Sequence, residues 1–246
     1  MPLLVPFAGA LAPVTSALTI MIRLLGIILF GLLLMACNPA DNSYSLIGEV
    51  DLKNASDAAD IAELRAALET IEGHHQGNET GIQLNQGAKP EDIAQLEREL
   101  QCKIPQELLE IWKWHNGEST SNFIWYHRFL SVEEALAEYR ELTTQEWSLW
   151  EPDWVPVFEF EGEWYGVKCD EDRKIASPVV FHFIEDEPHI AYLNLTRYMK
   201  TMAIALEQGA LSWGGIAWEE DPYRLDDIFS ELNPGLAFPY FVPEKR

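Results

Sequence analysis

The chain is poor in positive charge. It contains 17 lysines and arginines against 40 aspartates and glutamates, which gives 246 residues a formal net charge of −23. Phosphate backbones repel so acidic a chain, and this argues against nucleic acid as a ligand. The charge favours a basic protein partner instead, because complementary charge speeds encounter and sharpens partner choice. A solvated surface that only maintains solubility is the alternative interpretation.

Cysteine is also scarce. Cys37, Cys102 and Cys169 are the three in the chain, and none lies in a C-x-x-C pair or a Cys/His cluster. The sequence therefore predicts no metal site and no cofactor. Cys102 and Cys169 either pair in an oxidising compartment or remain two small buried side chains. Their spacing alone does not decide between these alternatives.

Catalytic motifs are missing as well. The chain has neither a G-x-S-x-G elbow nor a phosphate-binding glycine loop. Glu159, Glu161 and Glu163 alternate with aromatic residues, so a strand would place the three acids on one face. Paired carboxylates on one face could serve a glycan-directed hydrolase, but the solvent face of a hairpin explains the pattern equally well. We predict that the protein is not an enzyme and has no catalytic residues.

The histidines show no clear ligand spacing. His74 and His75 lie in a stretch with several glycines, which predicts an exposed loop. His182 and His189 flank a predicted hairpin, and zinc binding with a third ligand is a minor hypothesis for them.

One apolar run is too short to span a membrane. Leu24–Ala36 holds 13 uncharged residues after Arg23 and would reach about 20 Å as a helix, against about 30 Å of bilayer core. Its length is typical of a signal-peptide core. It ends in Leu34-Met35-Ala36-Cys37, which resembles a bacterial lipobox.

These features predict an extracytoplasmic lipoprotein. Residues 1–36 form the signal peptide, with Met21 as the interpreted start of translation, and Cys37 receives the lipid. A longer uncleaved anchor is the alternative for the first twenty or so residues. Residues 37–55 then tether the domain to the membrane, on the periplasmic side or at the cell surface.

The segment Gly87–Gly117 predicts two short amphipathic helices. Pro90 and Pro105 each suit a first helical turn, and apolar residues follow both prolines at three- and four-residue spacing. Asn116-Gly117 offers a left-handed stop for the second helix.

This helix pair resembles the opening of the SUKH superfamily, which is named partly for fungal cell-wall assembly regulators and includes many bacterial immunity proteins. The matching residues are Gly87, Ile93, Glu97, Leu100, Pro105, Leu108 and Asn116-Gly117, followed by Trp154-Val155-Pro156-Val157. Two positions depart from the family pattern. Cys102 stands where glycine is usual, and Lys168-Cys169-Asp170 replaces an acidic run.

The order of elements predicts an α+β fold. Helices come first, then hairpins around Glu161-Gly162 and Glu185-Asp186, then helices again. Phe123–Tyr126 is predicted as a further strand, and Ser131–Glu134 as a capping box. The resemblance implies that the helix pair packs on an antiparallel or mixed sheet of about four to six strands, closed by a C-terminal helix.

Five segments follow from these assignments. After the signal peptide (1–36) and the tether (37–55), residues 56–86 hold an accessory helix, running to about Ile71, and a loop. Residues 87–209 form the SUKH-like domain, and 210–246 form a C-terminal extension with a helix over Tyr223–Leu232.

Aromatic residues are the surplus of this chain. Nine tryptophans are present, and Trp112 and Trp114 cannot share one helical face because they are two positions apart. One of them is therefore expected at the rim, where Trp and Tyr are preferred interface anchors. The candidate binding residues are Trp112, Trp114, Trp125, Tyr126, Trp150, Glu159, Glu161 and Glu163.

The resemblance implies a binding role without catalysis. We expect an immunity-type protein that neutralises a bacterial toxin, with a basic toxin as the protein partner and the lipid as the membrane anchor. An envelope factor that contacts peptidoglycan or its synthesis machinery is the alternative.

Overall fold

A computed structural model of the chain describes residues 58–240, except residues 79, 121, 122, 147 and 185. The predicted signal peptide, the lipidation site Cys37 and the tether lie outside this range. Within it, no helix combines the length and the apolar character needed to cross a membrane.

The described residues form an α+β fold, as predicted. The elements in chain order are α1 (Ile61–Gly77), α2 (Pro90–Leu100), α3 (Gln106–Trp114), β1 (Arg128–Phe129), α4 (Val132–Leu142), β2 (Trp154–Phe160), β3 (Glu163–Lys168), β4 (Val179–Phe183), β5 (His189–Tyr192), α5 (Leu195–Glu207), β6 (Leu211–Trp213), β7 (Trp218–Glu220) and α6 (Pro222–Leu232).

Two sheets are present in this part of the chain. Strands β1 to β5 form a five-stranded sheet in sequential order, with every neighbouring pair antiparallel. Both predicted hairpins, β2–β3 and β4–β5, are confirmed. The second sheet is the β6–β7 hairpin, which the sequence analysis did not predict.

The large sheet buries both of its faces. Phe158 and Tyr165 lie in the main core, where both rings pack against Tyr198 of α5. On the opposite face Trp154 and Trp164 join a smaller apolar cluster beside α4. Burial on both faces explains why the strands are rich in aromatic residues rather than cleanly alternating.

The helix pair forms as predicted, with a different ending. Helix α3 ends at Trp114, and His115 after it is already extended. Gly117 has φ of 72°, but it serves the following turn, where a Cβ would lie 2.3 Å from the Ser131 nitrogen. Gly87 allows a second close approach, since a Cβ there would lie 2.1 Å from the Lys113 carbonyl oxygen. Both glycines of the family pattern thus permit tight packing.

The first helix is longer than predicted at its C-terminal end. It begins at Ile61, where the Asp60 side chain accepts hydrogen bonds from two backbone N–H groups, and it continues to Gly77 rather than stopping near Ile71. The predicted loop around His74 and His75 is therefore wrong. The two rings pack against Trp218 of β7, with centroids 6.0 Å away in each case. This tertiary contact explains the extra helical turn and buries His75.

Two buried glutamates join the helix pair to the rest of the fold. Glu97 of α2 receives hydrogen bonds from Lys103 at 2.9 Å and Arg173 at 2.7 Å. Glu107 of α3 is fully buried and accepts the N–H groups of Leu195 and Thr196 at 3.2 and 3.0 Å. A carboxylate at the first turn of α5 satisfies backbone donors that the helix leaves unpaired.

A disulfide fastens the same helix pair to the sheet. Cys102 follows α2, Cys169 follows β3, and their Cα atoms are 5.7 Å apart. The structure therefore shows that the two cysteines pair, which their spacing in the sequence did not decide. Lys103 and Asp170, the next residue on each side, form a backbone bridge with N···O distances of 2.7 and 3.1 Å. An open cleft of about 460 Å³ borders the bond.

Candidate interaction surface

The three hairpin glutamates do not share one face, contrary to the prediction. In the register of β2 and β3, Glu159 lies opposite Trp164 and Phe160 lies opposite Glu163. Residues directly opposite in an antiparallel pair point to the same side. The two-residue turn at Glu161-Gly162 therefore sends Glu159 and Glu163 to opposite faces. The hydrolase hypothesis required these carboxylates together, and the fold separates them.

Glu159 has its charge paired. Its carboxylate accepts a hydrogen bond from Arg128 at 3.2 Å, and Arg128 also donates to Glu134 at 2.6 Å. Glu161 is exposed in the turn. The Glu163 carboxylate is half-buried and lies 3.6 Å from the His127 Nε2 atom. Of the three predicted acids, Glu161 is the most exposed and therefore the most accessible to a partner. Glu159 is paired with Arg128 on the opposite face.

The segment predicted as a strand over Phe123–Tyr126 is a tight turn. Ile124 and His127 form an isolated bridge, with N···O distances of 3.3 and 3.0 Å. Trp125 and Tyr126 between them have φ values of 47° and 77°. Left-handed backbone is strained in residues with a Cβ, at about 1 kcal/mol or more for each. Two consecutive strained aromatic residues mark this turn as a candidate functional element.

The surrounding structure holds the strained turn. The Glu118 carboxylate accepts the N–H groups of Phe123 and Phe129, each at 3.0 Å, and burial raises its pKa to about 7. The Tyr126 hydroxyl donates to the Trp218 carbonyl at 3.0 Å. With these bonds in place, Tyr126 remains 37 % exposed.

Tyr126 belongs to a continuous exposed surface at the end of the β2–β3 hairpin. Its ring lies 5.8 Å from the Phe160 ring, centroid to centroid. Ile184 is 44 % exposed but follows Phe183, the residue opposite Glu163, so it points to the other side of the hairpin, where it packs over Gly162. We call the side with Tyr126 the turn-end surface; it consists of Tyr126, Phe160, Glu161 and Glu163.

Negative charge dominates the sequence around this surface. Residues 157–165, 181–191 and 211–221 contain nine aspartates and glutamates and neither lysine nor arginine. Arg128, two residues after Tyr126, pairs with Glu134 and Glu159 on the other face. An aromatic centre with a carboxylate rim resembles the organisation of protein interfaces, whose centre is apolar and whose rim is polar.

Three of the predicted tryptophan anchors lie inside the protein. Trp112, Trp125 and Trp150 are at most 5 % exposed. Trp112 donates to the Leu130 carbonyl and Trp150 to the Trp154 carbonyl, each at 3.0 Å. These bonds satisfy the indole N–H in the core, so these rings do not form an exposed surface.

Trp114 is half-buried, which confirms that one residue of the Trp112/Trp114 pair lies at the rim. Its indole donates to Glu72 at 3.1 Å, and the ring lines a cleft of about 270 Å³ between α1 and α3. Arg65 and Lys113 also line this cleft. This cleft therefore differs in charge from the turn-end surface, whose residues include no lysine or arginine.

The zinc hypothesis for His182 and His189 is wrong. His189 lies opposite Phe181, the residue before His182, so the two imidazoles point to opposite faces of the sheet. His182 is buried between Trp150 and Trp164, with ring centroids 6.0 and 5.9 Å away, and desolvation lowers its pKa. Among the described residues, no group of three metal-ligating side chains comes together.

Sequence reasoning missed several parts of this site. Phe160 and the supporting residues of β7 were not singled out. Gly214-Gly215, between two short apolar runs, is a hairpin signal that could have revealed β6 and β7.

The domain is thus an α+β scaffold that leaves one aromatic, acidic surface open. Residues 87–200 match the model of the SMI1/KNR4 family (SUKH-1). The chain therefore contains an SMI1/KNR4 domain, and the predicted SUKH superfamily is confirmed. Domains of this family are compatible with immunity-type and cell-wall-related roles. No curated protein is similar enough to the chain to count as a relative.

Proposed function

We propose that the protein is a membrane-anchored, non-catalytic binding protein that neutralises a bacterial toxin. The observation that carries the proposal is a SUKH-1 domain with an exposed aromatic ring and open carboxylates on one surface. Burying Tyr126 against a partner would supply affinity. Glu161 and Glu163 would steer a basic toxin to that ring.

Two features support a place outside the cytoplasm. The sequence Leu34-Met35-Ala36-Cys37 resembles a lipobox, and Cys102 pairs with Cys169. Disulfides persist in oxidising compartments and are rare in the cytosol. Both features are consistent with one location, although they lie in different parts of the chain.

This location limits the kind of toxin. A lipoprotein outside the cytoplasm does not meet a nuclease acting on cytoplasmic nucleic acid. The proposed target is therefore a toxin that acts on the envelope, or one that is intercepted during passage. The acidic surface fits a basic toxin in either case.

A cell-envelope role is the second candidate function. The family description joins SUKH-1 to the SMI1 and KNR4 proteins, and the anchored location would keep the domain near peptidoglycan. An exposed ring such as Tyr126 can stack on a sugar as well as anchor a protein. Under this hypothesis the surface contacts peptidoglycan or its synthesis machinery.

A growth assay separates the two functions. A secreted protein encoded beside this chain is expressed in a sensitive host, with and without the full-length chain. Immunity predicts that the chain relieves growth arrest, and that Cys37→Ser weakens relief by releasing the protein from the membrane. Arrest that persists with the anchored chain present contradicts immunity against that toxin. Sedimentation of the chain with purified peptidoglycan would favour the envelope role.

A further inference from the structure

The C-terminal extension reaches the strained turn at Trp125 and Tyr126. The family match ends at residue 200, whereas the described fold continues through β6, β7 and α6 to residue 240. Nothing in the proposed function assigns a role to these added elements.

Three residues that lie beyond the family match contact the Trp125 ring. The Trp125 indole donates to the Glu220 carboxylate of β7. The ring also packs edge-on against Tyr240, with centroids 4.2 Å apart, and stacks with Phe238 at 6.1 Å. The next residue, Tyr126, donates its hydroxyl to the Trp218 carbonyl. Strand β7 and residues 238–240 thus hold both left-handed residues from one side.

A second set of bonds extends the support to the sheet. The Tyr165 hydroxyl of β3 donates to the Tyr240 oxygen at 2.6 Å. That oxygen lies 3.2 Å from the His127 Nε2 atom, and His127 follows the turn directly. The end of the extension is therefore fastened to the hairpin that carries Glu163.

Strained backbone persists only where its surroundings over-determine it. Without Glu220, Phe238 and Tyr240, the Trp125 ring would lose its packing on the extension, and the turn could relax. Relaxation would move Tyr126, because the two residues share the left-handed segment. The extension therefore decides where the exposed ring of the turn-end surface stands.

The charges near Tyr126 define the class of partner. Glu161 is open, and Glu163 is partly exposed. Arg128, the cation nearest to Tyr126 in the sequence, is paired with Glu134 and Glu159. A basic segment that also carries apolar side chains would pair its cations with the carboxylates and bury its apolar groups on Tyr126 and Phe160.

We propose that the C-terminal extension is a positioning element for a binding surface that takes a basic, partly apolar protein segment. The inference rests on the proposed binding function and adds the site, the class of partner and the role of residues 211–240. Glu220 is the central positioning residue, since it holds Trp125 and does not itself need to touch the partner.

Hydrogen exchange on the full-length protein in detergent tests the positioning role without any partner. Glu220→Ala removes the acceptor for Trp125, and Glu219→Ala removes the neighbouring exposed carboxylate as a matched control. We expect amide exchange over residues 124–128 to rise about fivefold in Glu220→Ala and less than about twofold in the control. Equal exchange in the two variants would overturn the positioning role.

Binding of a defined probe tests the class of partner. The probe is a short fluorescent peptide of alternating lysine and leucine, followed by anisotropy at physiological salt, and a glutamate–leucine peptide controls for apolar binding. Glu161→Gln/Glu163→Gln should weaken binding about fivefold. Glu91→Gln/Glu141→Gln removes two exposed charges from α2 and α4, and should weaken it less than about twofold.

The exchange and peptide-binding experiments also distinguish a failure of the positioning role from a failure of the proposed immunity function. Glu220→Ala should weaken peptide binding more than Glu219→Ala, because both remove one charge but only one loosens the turn. Peptide binding that responds equally to the hairpin pair and the remote pair would overturn the proposed surface. Failure of toxin neutralisation alone, with both arms as expected, would contradict the immunity function and leave the surface in place.

Discussion

The helix pair and the turn-end surface use the same residue types in opposite environments. In the helix pair, Trp112 and Glu107 are completely buried, and their polar atoms form hydrogen bonds to backbone groups of Leu130, Leu195 and Thr196. At the turn-end surface, Tyr126 and Glu161 have their contacts on one side and solvent on the other. An aromatic and acidic composition therefore supports either folding or binding, and burial decides which.

The largest expected effect is at Trp112. Trp112→Ala should lower the free energy of unfolding by about 4 kcal/mol, because it removes a large ring from a closed core and leaves a cavity. Trp114→Ala, on the same helix but half-buried, should cost about 1 kcal/mol. Chemical denaturation of the two variants measures both values. Similar losses would remove the distinction between core and rim within this helix.

The disulfide is expected to come next. Its cysteines are 67 residues apart. The chain-entropy model gives an upper value of about 4.4 kcal/mol for a loop of that length, and we expect a loss of about 3 kcal/mol, within the usual range for disulfides. Cys102→Ala/Cys169→Ala should show this loss in denaturant, with Cys37 kept so that the proposed lipidation site is unchanged. The parent protein under a strong reductant provides the second measurement. An unchanged midpoint in both would show that the bond does not fasten the helix pair.

The pH dependence of stability should reveal the buried glutamate of the helix pair. Burial raises the pKa of Glu107 to about 7, whereas an unfolded glutamate titrates near about 4.3. Between these values the folded state holds a proton that the unfolded state has lost, so stability falls as pH rises. Glu107→Gln cannot titrate, and this fall should shrink by about 3 kcal/mol relative to the parent.

Other buried groups also change stability with pH, so the profile of Glu107→Gln is compared with that of the parent protein. Glu118, whose pKa burial also raises to about 7, contributes a fall of the same sign. Burial lowers the pKa of His75 to about 4, so its contribution rises between about pH 4 and 6.5. Both are retained in Glu107→Gln and cancel in the comparison. Parallel stability profiles for variant and parent would contradict a raised pKa at Glu107.

The smallest expected effect on stability is at the turn-end surface. Glu161→Gln/Glu163→Gln should change the free energy of unfolding by less than about 0.5 kcal/mol, because Glu161 is exposed, Glu163 is only half-buried and both glutamines keep the size of the side chain. Thermal melting beside the parent measures it. A loss comparable to that of Trp112→Ala would show that these carboxylates stabilise the fold and are not free for binding.

Local patterns in the sequence were sufficient for most of the elements. Pro90 at the start of α2, Pro105 directly before α3, the capping box at Ser131 and the turn at Glu161-Gly162 each act within a few residues. All four are present in the structure. The errors fall where distant contacts act: α1 is extended by Trp218, and the Trp125–Tyr126 turn replaces a predicted strand.

The candidate site was only partly predictable. Tyr126, Glu161 and Glu163 were identified from composition, but Trp125 and Trp150 were proposed beside them and lie in the core. Residue type does not reveal exposure, because tryptophan suits both a core and an interface. The hairpin register was equally decisive, since a two-residue turn placed Glu159 and Glu163 on opposite faces.

The α+β class, the SUKH helix pair and the acidic character of the surface were predictable because they follow from short-range periodicity and composition. The pairing of Cys102 with Cys169 became evident only in the folded chain, although both departures from the family pattern involve these two cysteines. The support of Tyr126 by the C-terminal extension likewise depends on the folded chain. The residues involved are 67, 95 and 92 positions apart in the chain. Spacing in the sequence does not predict proximity over such lengths.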